Sequence, residues 1–420
     1  MIQAGFDKSE ITPHVGIRLG GFASRLGKPS NSVHDPLIVR AIFLSCGAEE
    51  ALLISADVLG VYRGFADGVK GAISKRTGIR SDRIILAATH THSGPETIVP
   101  MWPNTFPYSK EEKGMLEDWF DFFKDKIVEV STNAYKNASS VSIKAGYFNA
   151  RKLTLNRSYE DGPLDDQLST IIFIGRNSRF LITNYACHPV CNSDLGISAD
   201  YPGELSLNLL KMGYENFFAT GAAGNINPVE LGREAAQKLG SELSYATIEA
   251  LNESHIISSD KLKVTSKSVN LHVRNVDKLQ EAEAKFKEVY RECAENLENP
   301  DCHVRLLYAD EELEVAKDHK TFAETTIKVF SIGNEIVFIS IPGELFVEFG
   351  LGIKEAANEL GYRFVVISTY SDDYIGYIPA KKAFELGTYE ARLARWSRIT
   401  EKASEEMYGE VLDCLRSLGT

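Results

Sequence analysis

Six short apolar runs punctuate the chain, and each ends in small or polar residues. They are ALLISAD (51–57), RIILAATH (83–90), FLITNYACH (180–188), NFFATGAAG (216–224), EIVFISIPGE (335–344) and RFVVISTYSDD (363–373). Unbroken stretches of β-branched, leucine and aromatic residues are how strands buried on both faces read, because neither side of the pleat meets water. Amphipathic stretches lie between several of them. Residues 65–78 (FADGVKGAISKRTG) end at a glycine, a helix stop, and 110–135, 205–211 and 234–251 carry helical periodicity. Residues 276–297 are also helical but very charged, which suits a solvated surface helix; a mobile cover over a site is the alternative. Residues 381–418 are expected to be largely helical and packed on the same domain. No repeat, low-complexity tract or long linker separates these elements. The pattern predicts the α/β class: a single large domain, residues 1–420, with a mixed central β-sheet surrounded by helices and a site at strand-end loops.

Polar residues cluster just past the apolar runs. In open α/β sheets, ligands sit at the carboxyl ends of strands. Those ends carry Asp57, His90 and His92, His188, Asn225, Glu344, Tyr374 and Tyr377. In AATHTHSGPE (87–96), an extended chain through Thr91 would point His90 and His92 to one face. Spacing alone leaves a metal or catalytic pair and a hydrogen-bonded turn both open. His188 precedes a proline and reads as a buried, satisfied histidine as readily as a ligand. Glu344 directly follows ISIPG, where a carboxylate needs a cation or donors, or opens a helix. Tyr377 and Tyr389 fit ordinary packing as well as chemistry. Cys187 and Cys191 flank His188, but no second cysteine pair completes a soft-ligand zinc site.

Composition narrows the classes. The chain has 420 residues, 44% of them hydrophobic, enough for a large core. A formal charge of −12 argues against a nucleic-acid backbone as partner. No stretch approaches the ~18 apolar residues of a membrane span. The opening MIQAGFDKSEITP lacks the pattern of a secretory signal, and the six cysteines form no CxxC. A cytoplasmic protein with reduced thiols is therefore expected. HExxH, GxSxG, GxxxxGK[ST] and GxGxxG are all missing, which removes the commonest zincin, α/β-hydrolase, P-loop and Rossmann readings.

An ordered set of motifs then runs along almost the whole chain. ATHTHSGP (88–95) is the most specific. With it come AGFDKSEITP near the start, HDPLIVRAIFL (34–44), LISADV (53–58), NRS (156–158), ACHPV (186–190), GNINP (224–228), PGE (342–344) and IGYIPAKKAFELGTYEAR (375–392). The set resembles the catalytic domain of the neutral ceramidases, zinc-dependent amidases that hydrolyse ceramide to sphingosine and a fatty acid. The resemblance implies zinc held by His90, His188, Glu344 and Tyr377, with a metal-activated water as nucleophile. It implies His92 as the unligated proton carrier, Tyr389 as oxyanion donor and Arg157 as an orienting arginine. Asn225 and Asn227, in the GNINP segment, replace an aspartate and a serine of the family pattern and would lie near the substrate. The implied substrate is an N-acyl or lipid-like small molecule, either ceramide or a smaller soluble N-acyl compound. The signal peptide and C-terminal β-sandwich usual in that family are not seen, so a stand-alone catalytic domain is expected. Two other classes stay open: a metal-dependent esterase, lactonase or phosphoesterase, and a non-catalytic metal- or ligand-binding protein. His92 and Tyr389 favour a catalyst, since neither is needed merely to hold zinc.

Overall fold

The computed structural model describes residues 2–176, 178–259 and 261–419. All six apolar runs form strands, and they pair off. Glu49–Ala56 lies beside Ile84–Ala88, Arg179–Tyr185 beside Glu215–Thr220, and Ile336–Ser340 beside Phe364–Ser368, parallel in every case. A parallel pair requires a crossover, and each has one helix: Arg63–Thr77, Asp200–Lys211 and Val347–Glu359. The chain thus builds one strand–helix–strand unit three times. Each helix gives way to a glycine in the left-handed region, Gly78 at φ 82°, Gly213 at φ 88° and Gly361 at φ 95°. Each second strand runs into a threonine: Thr89, Thr220 and Thr369. The shared signature is only a glycine, a short apolar strand and a threonine. That is too little for the amino-acid sequence to show a repeat.

Antiparallel strands extend each unit into its own sheet. The first sheet runs Ile84–Ala88, Glu49–Ala56, Ile38–Cys46, Gln3–Glu10, Ser139–Ser140. The second runs Glu215–Thr220, Arg179–Tyr185, Gln167–Ile174, Ser142–Asn149, His255–Ile257. The third runs Leu262–His272, Phe322–Ile332, Ile336–Ser340, Phe364–Ser368. The α/β class and mixed pairing agree with the sequence pattern, but the strands are shared among three principal sheets. The reason is a common interior. Ile42, Leu44 and Leu53 of the first sheet meet Ile171, Phe173 and Phe217 of the second and Phe330, Phe338 and Val366 of the third. Alternate residues on the same strands face outward onto helices. Ala41, Phe43 and Ile54 meet Arg63–Thr77 and Lys110–Lys136, while Ile172 and Leu181 meet Asp200–Lys211 and Arg233–Asn252. Val337 and Ile339 pack with Val347–Glu359 and Glu401–Gly419. Both faces of every unit strand are therefore dry, and each buried large side chain contributes ~1.5–3 kcal/mol.

Two stretches differ from the expected pattern. Residues 381–418 break into a short helix, Lys381–Leu386, a 3₁₀ turn, Tyr389–Ala391, and a long helix, Glu401–Gly419. The break falls at Gly387, whose φ of 63° ends the first helix. The charged stretch forms the helix Leu279–Cys293 and packs on a further helix, Pro300–Lys317, that the apolar pattern does not reveal. The latter buries Asp310 and Glu311 on its inner side, which scrambles its periodicity. Glu311 is matched by Arg395, whose Nε lies 3.0 Å from Oε2. The six cysteines form no disulfide among the described residues. No helix among the described residues is long and apolar enough to cross a membrane.

Candidate metal centre

The three units meet at the carboxyl ends of their strands. Thr220 Oγ1 donates to the Thr89 carbonyl at 2.7 Å, and the Thr369 amide donates to the Thr220 carbonyl at 2.9 Å. The Ala88 amide closes the ring on the Tyr370 carbonyl at 3.1 Å. Whatever follows these threonines is brought to one point.

His90 follows Thr89 but is not extended. The strand stops at Ala88, and His90 turns into the left-handed region at φ 69°. A non-glycine residue there is strained by ~1–3 kcal/mol, held by the surrounding structure. Its amide donates to the Val58 carbonyl, Nδ1 faces the Leu59 carbonyl at 2.5 Å, and the Tyr370 ring stacks on the imidazole at 3.8 Å. His90 and His92 thus reach one pocket through a turn. His188 arrives from the second unit, with Nδ1 2.6 Å from the Ala223 carbonyl. Glu344 arrives from the third. Its short strand Glu344–Leu345 pairs in parallel with Tyr377–Ile378, making Glu344 and Tyr377 register partners.

The donor atoms converge. His90 Nε2 is 3.1 Å from His188 Nε2 and 3.1 Å from His92 Nε2. Glu344 Oε2 is 3.1 Å from His188 Nε2 and 3.5 Å from His90 Nε2. Carbonyl oxygens only accept, so the Nδ1 atoms of His90 and His188 carry the protons. Burial holds the His188 pKa down to about 4 and that of His92 well below the usual imidazole value. Burial alone would raise the Glu344 pKa, but the facing His90 and His188 hold it well below the usual carboxylate range. The neutral rings of His92 and His188 then turn lone pairs toward His90 and toward a carboxylate, at residues no more than 8% exposed. That arrangement is unfavourable unless a cation sits among the acceptors. His90, His92 and His188 could hold a metal ion, their ligand atoms lying within 4.8 Å of one another. Backbone carbonyls fixing the far nitrogen of a histidine are the usual support of a ligand. His90 and His188 have that support. The buried Nδ1 of His92 has no partner among the described residues.

Around this cluster lies a web of hydrogen bonds. Tyr374 Oη donates to Glu344 Oε1 at 2.5 Å. Arg157 donates to Tyr377 Oη at 2.8 Å, to the Gly224 carbonyl at 2.9 Å and to Asn227 Oδ1 at 3.2 Å, and pairs with Glu390 at 2.9 Å. The Tyr389 ring lies 6.0 Å from that of Tyr377, edge to face, and is 45% exposed. Asn227 lines the open cavity. Asn225, expected beside it, is fully buried and spends its amide on the Val347 amide and on Glu348. The flanking cysteines make no site: Cys187 Sγ faces the His188 carbonyl at 3.6 Å and Cys191 Sγ the Glu230 carbonyl at 3.9 Å. Asp57 is absorbed by Arg40 at 2.9 Å. Tyr370 and Glu390 escaped the sequence reading as site residues. Glu390 sits next to Tyr389 and Tyr370 two positions past the strand Phe364–Ser368, and neither carries a signal of its own.

A cavity of about 620 Å³ opens over the cluster. His90, His92, Arg157, Glu344 and Tyr377 form its floor, and Phe22, Ile98, Leu231, Leu307 and Trp396 are among its apolar walls. The charged helix Leu279–Cys293 contributes nothing to the lining.

No protein-family model matches the sequence, and no curated protein matches it. Solved structures do. The neutral ceramidase from Pseudomonas aeruginosa superposes with a TM-score of 0.78, over 100% of this chain and 74% of that one, at 19% identity. A ceramidase complexed with C2 gives 0.76, over 99% and 75%, at 17% identity. This chain has the neutral-ceramidase fold. Within this fold, each strand–helix–strand unit delivers part of the cluster: His90 and His92 from the first, His188 from the second and Glu344 from the third, whose Tyr377 lines the cavity.

Proposed function

We propose that the chain is a zinc-dependent hydrolase of an N-acyl amide bond, with residues 1–420 acting as one catalytic domain. The observation that carries this reading is the convergence of imidazole nitrogens and the Glu344 carboxylate at 3.1–3.5 Å under an apolar cavity. His90, His188, Glu344 and Tyr377 would hold the ion. Imidazole and oxygen donors suit zinc; burial pushes the Tyr377 phenol well up, Arg157 at 2.8 Å works against that, and a cation at the site would favour the phenolate that a ligating Tyr377 needs. A zinc ion held there supplies Lewis acidity, polarising a carbonyl and lowering the pKa of water from 15.7 to ~7.

The chain's own residues do the rest. Among the described residues no carbonyl fixes the tautomer of His92, so its Nε2, which faces the cluster, can take a proton from the attacking water and return it to the leaving amine. Water adds across the C–N bond, giving a carboxylic acid and an amine. Tyr389, at the cavity wall, donates its hydroxyl to the developing oxyanion; such a donor is typically worth ~10²–10³ in rate. Arg157, locked by Glu390 and Gly224, orients Tyr377 and Asn227. The apolar walls accept the acyl chain.

One observation favours a second arrangement, with His92 as a third histidine ligand: its Nε2 lies 3.1 Å from that of His90. The test is hydrolysis of N-acyl amides followed by release of fatty acid and amine. Chelated protein should be inactive and regain activity with zinc. His92→Ala should keep its metal and lose at least ~10² in kcat. Turnover that survives chelation, or His92→Ala at full activity, rejects the reading.

A further inference from the structure

Away from the metal cluster, one wall of the cavity carries donors that no protein group meets. Beyond the metal cluster and Arg157, the charged side chain on its wall is Arg392. Its guanidinium carbon sits 3.3 Å from the centroid of the Tyr308 ring, so the group stacks on the ring face. Its amide is tied to the carbonyls of Thr388 and Tyr389, and Arg274 clamps the preceding Ala391 carbonyl. The residue is exposed, yet among the described residues no carboxylate lies within ion-pair distance of it. Arg157, by contrast, is matched by Glu390. Two further donors of the same wall are unmet: the Tyr308 hydroxyl and the Trp396 indole N–H are buried and make no hydrogen bond among the described residues. In a chain of net charge −12, an unmatched arginine beside two unmet donors is a local reversal of sign.

We propose that this wall reads a carboxylate on the substrate's head, so that the N-acyl amide cleaved here is an N-acyl amino acid and not a neutral N-acyl amino alcohol. The inference rests on the hydrolase reading above for its chemistry and on the wall alone for its recognition. Stacking on an aromatic face holds the guanidinium flat and leaves its edge N–H groups free, in the fork that a carboxylate fits with two bonds. The apolar lining takes the acyl chain, and the amide lies between, over the cluster. Arg392 is on the same short segment as Tyr389, so a head bound there fixes the carbonyl near the oxyanion donor.

Matched substrates test this: N-lauroylglycine, N-lauroyltaurine and N-lauroylethanolamine share the chain and differ in head. With zinc-loaded protein the glycine amide should exceed the ethanolamide about tenfold in kcat/KM. In Arg392→Gln that ratio should fall toward one, most of the loss falling on the carboxylated substrate, and Arg392→Lys should recover only part. A preference for the taurine amide instead would make the head a sulfonate and overturn the carboxylate assignment. Equal use of glycine and ethanolamine amides by the native protein, or a preference that survives Arg392→Gln, overturns the proposal. Calorimetric binding of the same compounds separates it from the hydrolase reading. Arg392-dependent selection of N-lauroylglycine without any turnover keeps the recognition and rejects the hydrolase. Binding that ignores the head charge, or no binding at all, rejects the recognition.

Discussion

Asp372 is a buried carboxylate held between two buried ammonium groups. Its oxygens lie 2.8 Å from Lys70 Nζ and 2.8 Å from Lys328 Nζ, and Lys328 also reaches the Ile84 carbonyl. The residue is 3% exposed and stands in the left-handed region at φ 65°. It stitches the third unit to the first: its amide donates to the Leu86 carbonyl at 2.7 Å, and the Leu86 amide donates to its Oδ1 at 3.0 Å. At 2.8 Å and an effective dielectric near 20, each pair is worth about 6 kcal/mol of gross attraction. Desolvation offsets several kcal/mol per ion, so the net worth is far smaller. Removing only the carboxylate's charge, in Asp372→Asn, leaves the buried Lys328 uncompensated and Lys70 with only the exposed Asp67 at 3.6 Å, and should cost ~3–5 kcal/mol. Urea unfolding followed through the three tryptophans reads it. Adding Lys328→Met should restore part of the loss by removing one orphaned charge. The segment also carries Tyr370 onto His90 and Tyr374 onto Glu344, so zinc affinity should fall about tenfold. A loss under ~1 kcal/mol, or a Lys328→Met addition that deepens it, refutes the argument.

Other perturbations act at single contacts. Tyr374→Phe deletes the 2.5 Å bond to Glu344 and should weaken zinc binding ~10–100-fold, by competition with a chelating dye, while leaving thermal stability nearly unchanged. Gly21 sits at φ 88°, and an added Cβ would lie 2.3 Å from His92 Nδ1; Gly21→Ala should therefore depress kcat at least tenfold with metal content intact, as elemental analysis and turnover together would show. Burial pushes the Asp310 carboxyl up from its ordinary 3.8 to about 6. The folded state then holds its proton where the unfolded state has lost it, so stability is full below pH ~4 and falls by about 3 kcal/mol as the pH rises through 6. Asp310→Asn should flatten that decline in unfolding curves recorded from pH 4 to 7.

The legibility of the sequence follows burial. The six strands it reveals are those of the three parallel pairs, dry on both faces and so continuous in apolar residues. The strands it conceals are one-sided or mixed. LKVTSKSVNLH, the strand Leu262–His272, alternates exposed lysines and serines with few buried residues and resembles a loop. The helix Pro300–Lys317 hides because Asp310 and Glu311 occupy inward positions, made tolerable by Asn104 and Arg395 far along the chain. At the site, His90, His92, His188, Glu344 and Tyr377 stand out because polar residues directly after dry strands need a reason. That they converge does not follow from spacing. It depends on Thr89, Thr220 and Thr369 joining three sheets, and on left-handed turns at His90 and Tyr370. Asn225 shows the opposite limit. It stands beside Asn227 in the same short motif, but one amide faces the cavity and the other faces the buried start of a helix.

The central claim is a zinc ion held by His90, His188, Glu344 and Tyr377, with His92 left free for proton transfer. Elemental analysis of protein purified without chelators tests it most directly, on the native chain beside His188→Ala and His92→Ala. The account predicts one zinc per chain in the native protein and in His92→Ala, and none in His188→Ala. A native protein that takes up no zinc when it is supplied, or a His92→Ala variant that loses it, would contradict the account.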